Sequence, residues 1–130
     1  MMRISAVLLT MLLGANAALA GGTKVPVIYG KEAELDACPS GGEVQNVDKG
    51  SDQFLALRSG PGKNYAVVAK LKTGQKFAMC DSKPGWVGII VFPNEKDRCG
   101  ADSSQKKSIP YNGPCQSGWV SEKYIKQISG

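Results

Sequence analysis

The stretch that decides the fold is Phe54-Leu55-Ala56-Leu57-Arg58-Ser59-Gly60-Pro61-Gly62-Lys63-Asn64-Tyr65. A short apolar run leads into a turn, because glycine adopts positive φ without penalty and proline fixes φ near its turn value. Beyond it the apolar residues recur with a period of two in short segments, and no long stretch has an amphipathic helical repeat. The chain is therefore predicted to be all-β, a small barrel of short strands joined by Gly and Pro turns.

Two segments interrupt this rhythm of short strands. Residues 21–42 mix a few apolar residues with charges and are predicted to form an extended arm or loose linker before the barrel, which covers residues 43–130. Residues 93–114 are rich in Asp, Lys, Ser, Gly and Pro and form a loop insertion, which in a small domain is either functional or tied down. The predicted strands are 43–47, 53–58, 66–72, 75–80, 86–92 and 117–120, with a 3₁₀ turn and closing strand in 121–125.

The N-terminus has the pattern of a signal peptide. A short positive region is followed by the apolar stretch 4–13 and by Ala18-Leu19-Ala20, which matches the small-x-small cleavage pattern. The apolar stretch is shorter than the roughly 20 residues that a membrane anchor needs. Residues 1–20 are predicted to be removed, which gives a periplasmic or secreted protein of about 110 residues with one small domain.

Four cysteines in an exported chain indicate two disulfides, since a domain of this size buries only a modest core. Three pairings are open. Cys99–Cys115 is favoured because it would close the insertion, with Cys38–Cys80 joining the arm to the barrel. A zinc site is the rival use of the thiols, but the chain has neither a Cys-x-x-Cys pair nor a histidine. No metal and no other cofactor is expected.

Charge and composition argue against several function classes. Without Arg3 the chain carries 15 basic and 11 acidic side chains, a net charge of about +4. No Arg-rich cluster is interleaved with aromatics, so nucleic acid is not an expected partner. The absence of histidine removes the usual acid–base and nucleophile-activating group, so the chain is predicted not to be an enzyme.

Three blocks of the sequence resemble a bacterial SH3 domain of the SH3b type, found in exported and cell-wall-associated proteins. Residues 55–62 with Tyr65 are similar to the first motif of that family, and residues 71–75 resemble the hairpin that follows it. Residues 85–89 and 118–121 look like its paired Gly-Trp strands, with Tyr124 and Ile125 closing the barrel. The similarity covers about residues 43–128, although the insertion and the lack of a hydrolase domain depart from the family pattern.

The resemblance implies an SH3-like barrel that binds an extended ligand, either peptidoglycan stem peptides or a periplasmic protein segment. Aromatic side chains would hold the ligand while Arg58 and nearby lysines meet its carboxylates. The predicted ligand-binding residues are Arg58, Tyr65, Trp86, Tyr111 and Trp119. Core packing is the competing interpretation for both tryptophans, and an internal ion pair for Arg58. Tyr124 is expected to pack in the core, whereas Tyr111 is expected to be exposed.

A second hypothesis assigns function to the insertion. An interaction or inhibitor protein would dock a specific partner through residues 93–114, with exposed Ile109 and Tyr111 as contacts. A third hypothesis, an enzyme with a carboxylate site, requires a deep cleft that a small barrel should not have.

Overall fold

The structure, a computed structural model, describes residues 23–30, 37–47, 53–103 and 107–130. The predicted signal peptide, residues 1–20, and the turn predicted at 48–52 lie outside the described residues. Within those ranges the chain forms strands, a 3₁₀ turn at Glu122–Tyr124 and no α-helix, which confirms the all-β prediction. The strands are β1 Ile28–Tyr29, β2 Ser40–Val44, β3 Leu55–Arg58, β4 Val67–Leu71, β5 Lys76–Lys83, β6 Trp86–Val91, β7 Ile109–Pro110, β8 Ser117–Ser121 and β9 Ile125–Ser129.

Seven of these strands make one antiparallel sheet, in the order β4-β3-β8-β6-β5-β2-β9. The β5–β6 hairpin has the longest pairing, from Phe77 opposite Val91 to Lys83 opposite Trp86. Gly85 closes this hairpin at φ 80°, a conformation that favours glycine. Strands β1 and β7 form a separate antiparallel pair.

Strand β2 begins at Ser40, earlier than predicted, because two glycines allow the neighbouring chain to approach closely. A Cβ on Gly42 would lie 2.8 Å from the Phe77 ring, and one on Gly41 would lie 2.7 Å from Ser129 Oγ. Glycine is a poor strand former when propensity alone is considered. Ser40 and both glycines, which the sequence assigns to the arm (21–42), therefore belong to the sheet.

The central strands of the sheet are buried on both faces. Alternate side chains of β5 and β6 point to opposite sides, and the two sides belong to separate apolar clusters. The first core contains Val44, Leu57, Phe77, Ile89 and Val120 among others. The second core, on the other face, contains Val27, Tyr29, Ile90, Tyr111 and Trp119 among others.

The arm covers the second core and is not a loose linker. Val27, Tyr29, Ala37 and Cys38 are buried. The backbone N–H of Ile28 donates to Asp81 Oδ2 at 3.0 Å, so a carboxylate of β5 fixes the arm in place. Apolar residues recur in the arm with a period of two, which is the pattern of a strand that packs one face against the sheet.

The insertion is fastened at three points. Cys99 and Cys115 are joined by a disulfide, β7 pairs with β1, and the ring of Tyr111 packs edge-on against Tyr29 with centroids 5.2 Å apart. The second disulfide joins Cys38 to Cys80. Both predicted pairings are confirmed, and two disulfides indicate an oxidising environment.

Candidate ligand-binding groove

An open groove of about 400 Å³ lies where β3, the start of β6 and the 3₁₀ turn come together. We call it the aromatic groove. The described residues that line it include three aromatic side chains and three cations but no carboxylate, as the full set shows: Phe54, Leu55, Ala56, Arg58, Lys63, Val67, Trp86, Ser121, Lys123 and Tyr124.

Strand alternation brings the β3 side chains to this groove. Leu55 and Leu57 point into the first core, so Ala56 and Arg58 point to the other side of the strand. The Arg58 guanidinium donates from Nη1 to the carbonyl of Tyr65 at 2.9 Å. This bond orients the cation and still leaves other N–H donors of the guanidinium for a ligand.

The turn after β3 is held by Tyr65 packing on a glycine. A Cβ on Gly60 would overlap the Tyr65 ring, and the backbone N–H of Tyr65 donates to Gly62 O at 3.3 Å. Neither glycine has positive φ, so the turn needs them for space and not for a left-handed backbone. This packing fixes the segment that carries Lys63 to the groove.

The remaining aromatic walls come from different elements. Trp86 is half-buried at the start of β6, opposite Ser121 of β8. Ser121 caps the 3₁₀ turn, its side chain accepting from the Lys123 N–H at 3.3 Å, and thereby positions Tyr124, which is 40% exposed. The Lys70 ammonium lies 4.8 Å from the centre of the Phe54 ring, a cation–π contact at the groove's edge.

The structure brings together two of the five predicted ligand-binding residues. Arg58 and Trp86 line the same groove, and Tyr65 lies behind it, where its carbonyl accepts from Arg58. No ion pair between Arg58 and a carboxylate occurs among the described residues. Tyr124 is exposed in the groove, so its predicted core position is wrong.

Tyr111 and Trp119 lie in the second core and do not line the groove, although Trp119 is the cross-strand partner of Arg58. Trp119 is fully buried, and its indole N–H donates to Val25 O at 2.7 Å. Of the two interpretations of this residue, the structure therefore supports core packing. The expected exposure of Tyr111 is wrong, because its hydroxyl donates to Cys99 O at 3.1 Å and accepts from the Cys115 N–H at 3.3 Å. Burial raises the pKa of Tyr111 above its usual value. Trp119 has no exposed surface, and the small exposed part of Tyr111 faces a separate cavity beside the arm.

Sequence reasoning missed Phe54, Lys63 and Lys123 as groove residues. For Phe54 the signal was present, because a strand with Leu55 and Leu57 in the core must place its even-numbered residues on the opposite face. No comparable alternation predicts the positions of the two lysines, because they lie in the turn after β3 and in the 3₁₀ turn and not in a strand.

A second cavity of about 530 Å³ lies between the β4–β5 turn and the start of the insertion. Three of its polar side chains are engaged within the fold, while Lys72, Lys76 and Glu95 also line it. Gln75 Nε2 donates to Phe92 O at 3.0 Å, and Asn94 Oδ1 accepts two backbone N–H bonds of its own turn. Arg98 stacks on Phe92 and pairs with Asp102 at 3.8 Å. The aromatic groove differs from this cavity in that its three cations lie beside three aromatic rings, with no carboxylate among its described lining residues.

One group of side chains has metal-ligand spacing within the described ranges. Potential ligand atoms of Asp97, Cys99 and Cys115 lie within 4.8 Å of one another. The two sulfurs are bonded to each other, so the thiolates that zinc requires are absent from this group. In the part of the chain that the structure describes, no helix is long and apolar enough to cross a membrane.

No protein-family model matches this chain, and neither a curated protein nor a solved structure is significantly similar to it.

Proposed function

We propose that this chain is an exported, non-catalytic binding module of the SH3b type, whose aromatic groove binds an extended chain that carries carboxylates. The observation that supports this most strongly is the composition of the groove. Three aromatic side chains and the cations Arg58, Lys63 and Lys123 face one open channel, with no carboxylate among its described lining residues. Aromatic faces beside cations suit a flat, anionic, extended ligand.

The positions of the sequence motifs in the sheet support an SH3b-like barrel. The first motif forms β3 and the turn of Gly60, the second forms the β4–β5 connection, and the two Gly-Trp blocks form neighbouring strands β6 and β8. The 3₁₀ turn then leads into the last strand, as the closing residues of the family would require. In this proposal β1, β7 and the insertion are additions packed on the outside of the barrel.

Charge alone would hold a short ligand weakly in the aromatic groove. An exposed ion pair contributes only about 0.2–1 kcal/mol, so three cations alone hold a single short ligand weakly. Aromatic contacts with Phe54, Trp86 and Tyr124 add apolar burial to these charges.

Two ligands share the required chemistry. The resemblance implies peptidoglycan stem peptides, which are extended, carry carboxylates and occur in many copies in the wall. An acidic, extended segment of a cell-envelope protein presents the same groups in a single copy. In both cases the groove binds and does not react, since the chain has no histidine to act as acid or base.

Co-sedimentation with purified sacculi tests the proposal, with an acidic model peptide run beside it. We expect retention of the protein at low salt, less retention at high salt, and loss of binding in Trp86→Ala. The double variant Lys63→Ala/Lys123→Ala removes two groove cations and should lose most binding. Its matched control, Lys72→Ala/Lys76→Ala, removes the same amount of charge beside the second cavity and should retain binding. Equal loss in both doubles would show that net charge, not the groove, causes the binding.

The hypothesis of a partner bound by residues 93–114 loses one of its reasons, since Tyr111 is buried. Ile109 is half-buried in β7, where it pairs with Tyr29. A partner-binding role for the insertion stays a prediction of the sequence.

A further inference from the structure

Strand β4 is a terminal strand of the sheet and adjoins the aromatic groove. Its backbone pairs on one side with β3, and no described strand pairs with its other side. Such an edge presents unpaired N–H and C=O groups that accept an added strand. Natural proteins cover a sheet edge, or place charged side chains on it, when no further strand is to be added. The side chains of β4 therefore indicate whether this edge is protected or open to an added strand.

The side chains of β4 leave this edge open. Val67 and Val68 are 45% and 48% exposed and are two of the few large apolar residues that the described chain exposes. They point to opposite faces of the strand, and Val67 forms part of the groove wall whereas Val68 does not. The lysine of the strand, Lys70, is held over the Phe54 ring. An added strand would therefore find apolar contacts on both faces.

We propose that β4 accepts an acidic, all-L peptide segment as an additional antiparallel or parallel strand, while alternate side chains of that segment enter the aromatic groove. The inference rests on the proposed function and selects one of its two ligands, a protein segment. We choose an acidic segment because of charge complementarity. Arg58, Lys63 and Lys70 lie along the border between β4 and the aromatic groove, and β4 has no carboxylate.

The backbone chemistry separates the two ligand classes. A ladder of hydrogen bonds requires regular spacing of amides along an L-peptide strand. Peptidoglycan stem peptides contain D residues and a glutamate linked through its side chain, so they cannot continue such a ladder. They would fill the groove with side chains and leave the β4 amides unpaired.

The other terminal strand provides a matched control. β9 pairs with β2 and exposes Ile128 at 43%, an apolar residue of similar exposure. It does not border the aromatic groove. Strand addition guided by the groove should therefore select β4 and leave β9 free.

Amide hydrogen exchange read by NMR tests the inference. The probe is a capped peptide of alternating Val and Glu, about eight residues long so that it spans all of β4. At saturation we expect the outward amides of β4 to exchange about tenfold or more slowly, with β9 unchanged. The same peptide with every backbone amide N-methylated has no N–H to donate and should give no protection. Val68→Asp should weaken binding about tenfold by repelling the added strand, whereas Ile128→Asp should change it by less than about twofold.

Each outcome separates this inference from the proposed function. If the peptide binds in the groove but the β4 amides are not protected, or if the N-methylated peptide protects equally, strand addition is wrong and the groove stands. If the peptide does not bind while sacculi do, the ligand is peptidoglycan and strand addition is again wrong. If neither binds, the proposed function fails as well.

Discussion

Replacing Trp119 by phenylalanine tests whether this ring holds the arm on the sheet or contacts a ligand. The side chain is fully buried, and its indole N–H donates to Val25 O at 2.7 Å. Losing that bond costs about 1 kcal/mol, because the carbonyl loses its partner within the fold. The volume that the smaller ring leaves empty costs about 1–2 kcal/mol more. The expected loss in the free energy of unfolding is therefore about 2–3 kcal/mol.

Urea unfolding followed by circular dichroism measures this loss, and amide exchange locates it. We expect faster exchange at residues 25–29, because the arm loses its anchor, and unchanged affinity for sacculi or peptide. Trp86→Phe is the matched control: its half-exposed ring should cost under about 1 kcal/mol of stability but should weaken binding. A loss below about 0.5 kcal/mol for Trp119→Phe, or reduced binding without reduced stability, would refute the packing argument.

Three further predictions concern the turn, the buried tyrosine and the insertion. Gly60→Ala should cost about 1–3 kcal/mol through overlap with Tyr65, and Gly60→Ala/Tyr65→Ala should cost less than the two single changes combined; simple additivity in urea unfolding would contradict the contact. Folding raises the pKa of Tyr111, so the stability that this residue contributes is fully present below pH about 10 and is lost as the pH rises through its folded pKa. Tyr111→Phe should therefore reduce the loss of stability at alkaline pH. An unchanged pH profile of the free energy of unfolding would exclude the tyrosine as the cause. Cys99→Ser/Cys115→Ser opens a loop with a sequence separation of 16, so the free energy of unfolding should fall by about 3 kcal/mol; a variant as stable as the parent would show that β7 alone holds the insertion.

Most strands could be predicted because their apolar residues alternate and their turns contain Gly or Pro. β3 and β4 lie within one or two residues of the predicted ranges. β5 extends to Lys83, beyond its predicted end, because it pairs with β6 as far as the turn at Gly85. Strand propensity cannot predict where β5 ends, because the hydrogen bonds that extend the strand come from its partner β6.

The burial of Trp119 and Tyr111 depends on which segment covers the outer face of the sheet. Alternation indicates that one face is buried, but the arm and the insertion cover the other face as well. The nearly continuous apolar run of residues 86–92 is a signal of a strand buried on both sides. The identity of the covering segments follows only from the tertiary contacts of β1 and β7.

The groove was partly predictable. Arg58 and Trp86 are recognisable as candidate contacts, but their proximity depends on β8 lying between β3 and β6. Tyr124 becomes a groove residue because the 3₁₀ turn capped by Ser121 directs it outward. Strand order and a single helical turn therefore decide the site, and neither can be read from local pattern.

The chain contains two tryptophans, so the two indole N–H signals in an NMR titration test the central claim most directly. During titration with solubilised peptidoglycan fragments or the acidic peptide, we expect the Trp86 signal to shift and saturate while the Trp119 signal stays in place. A titration that reaches binding saturation with Trp86 unmoved, or with Trp119 moving alone, would contradict the assignment of the aromatic groove as the binding site.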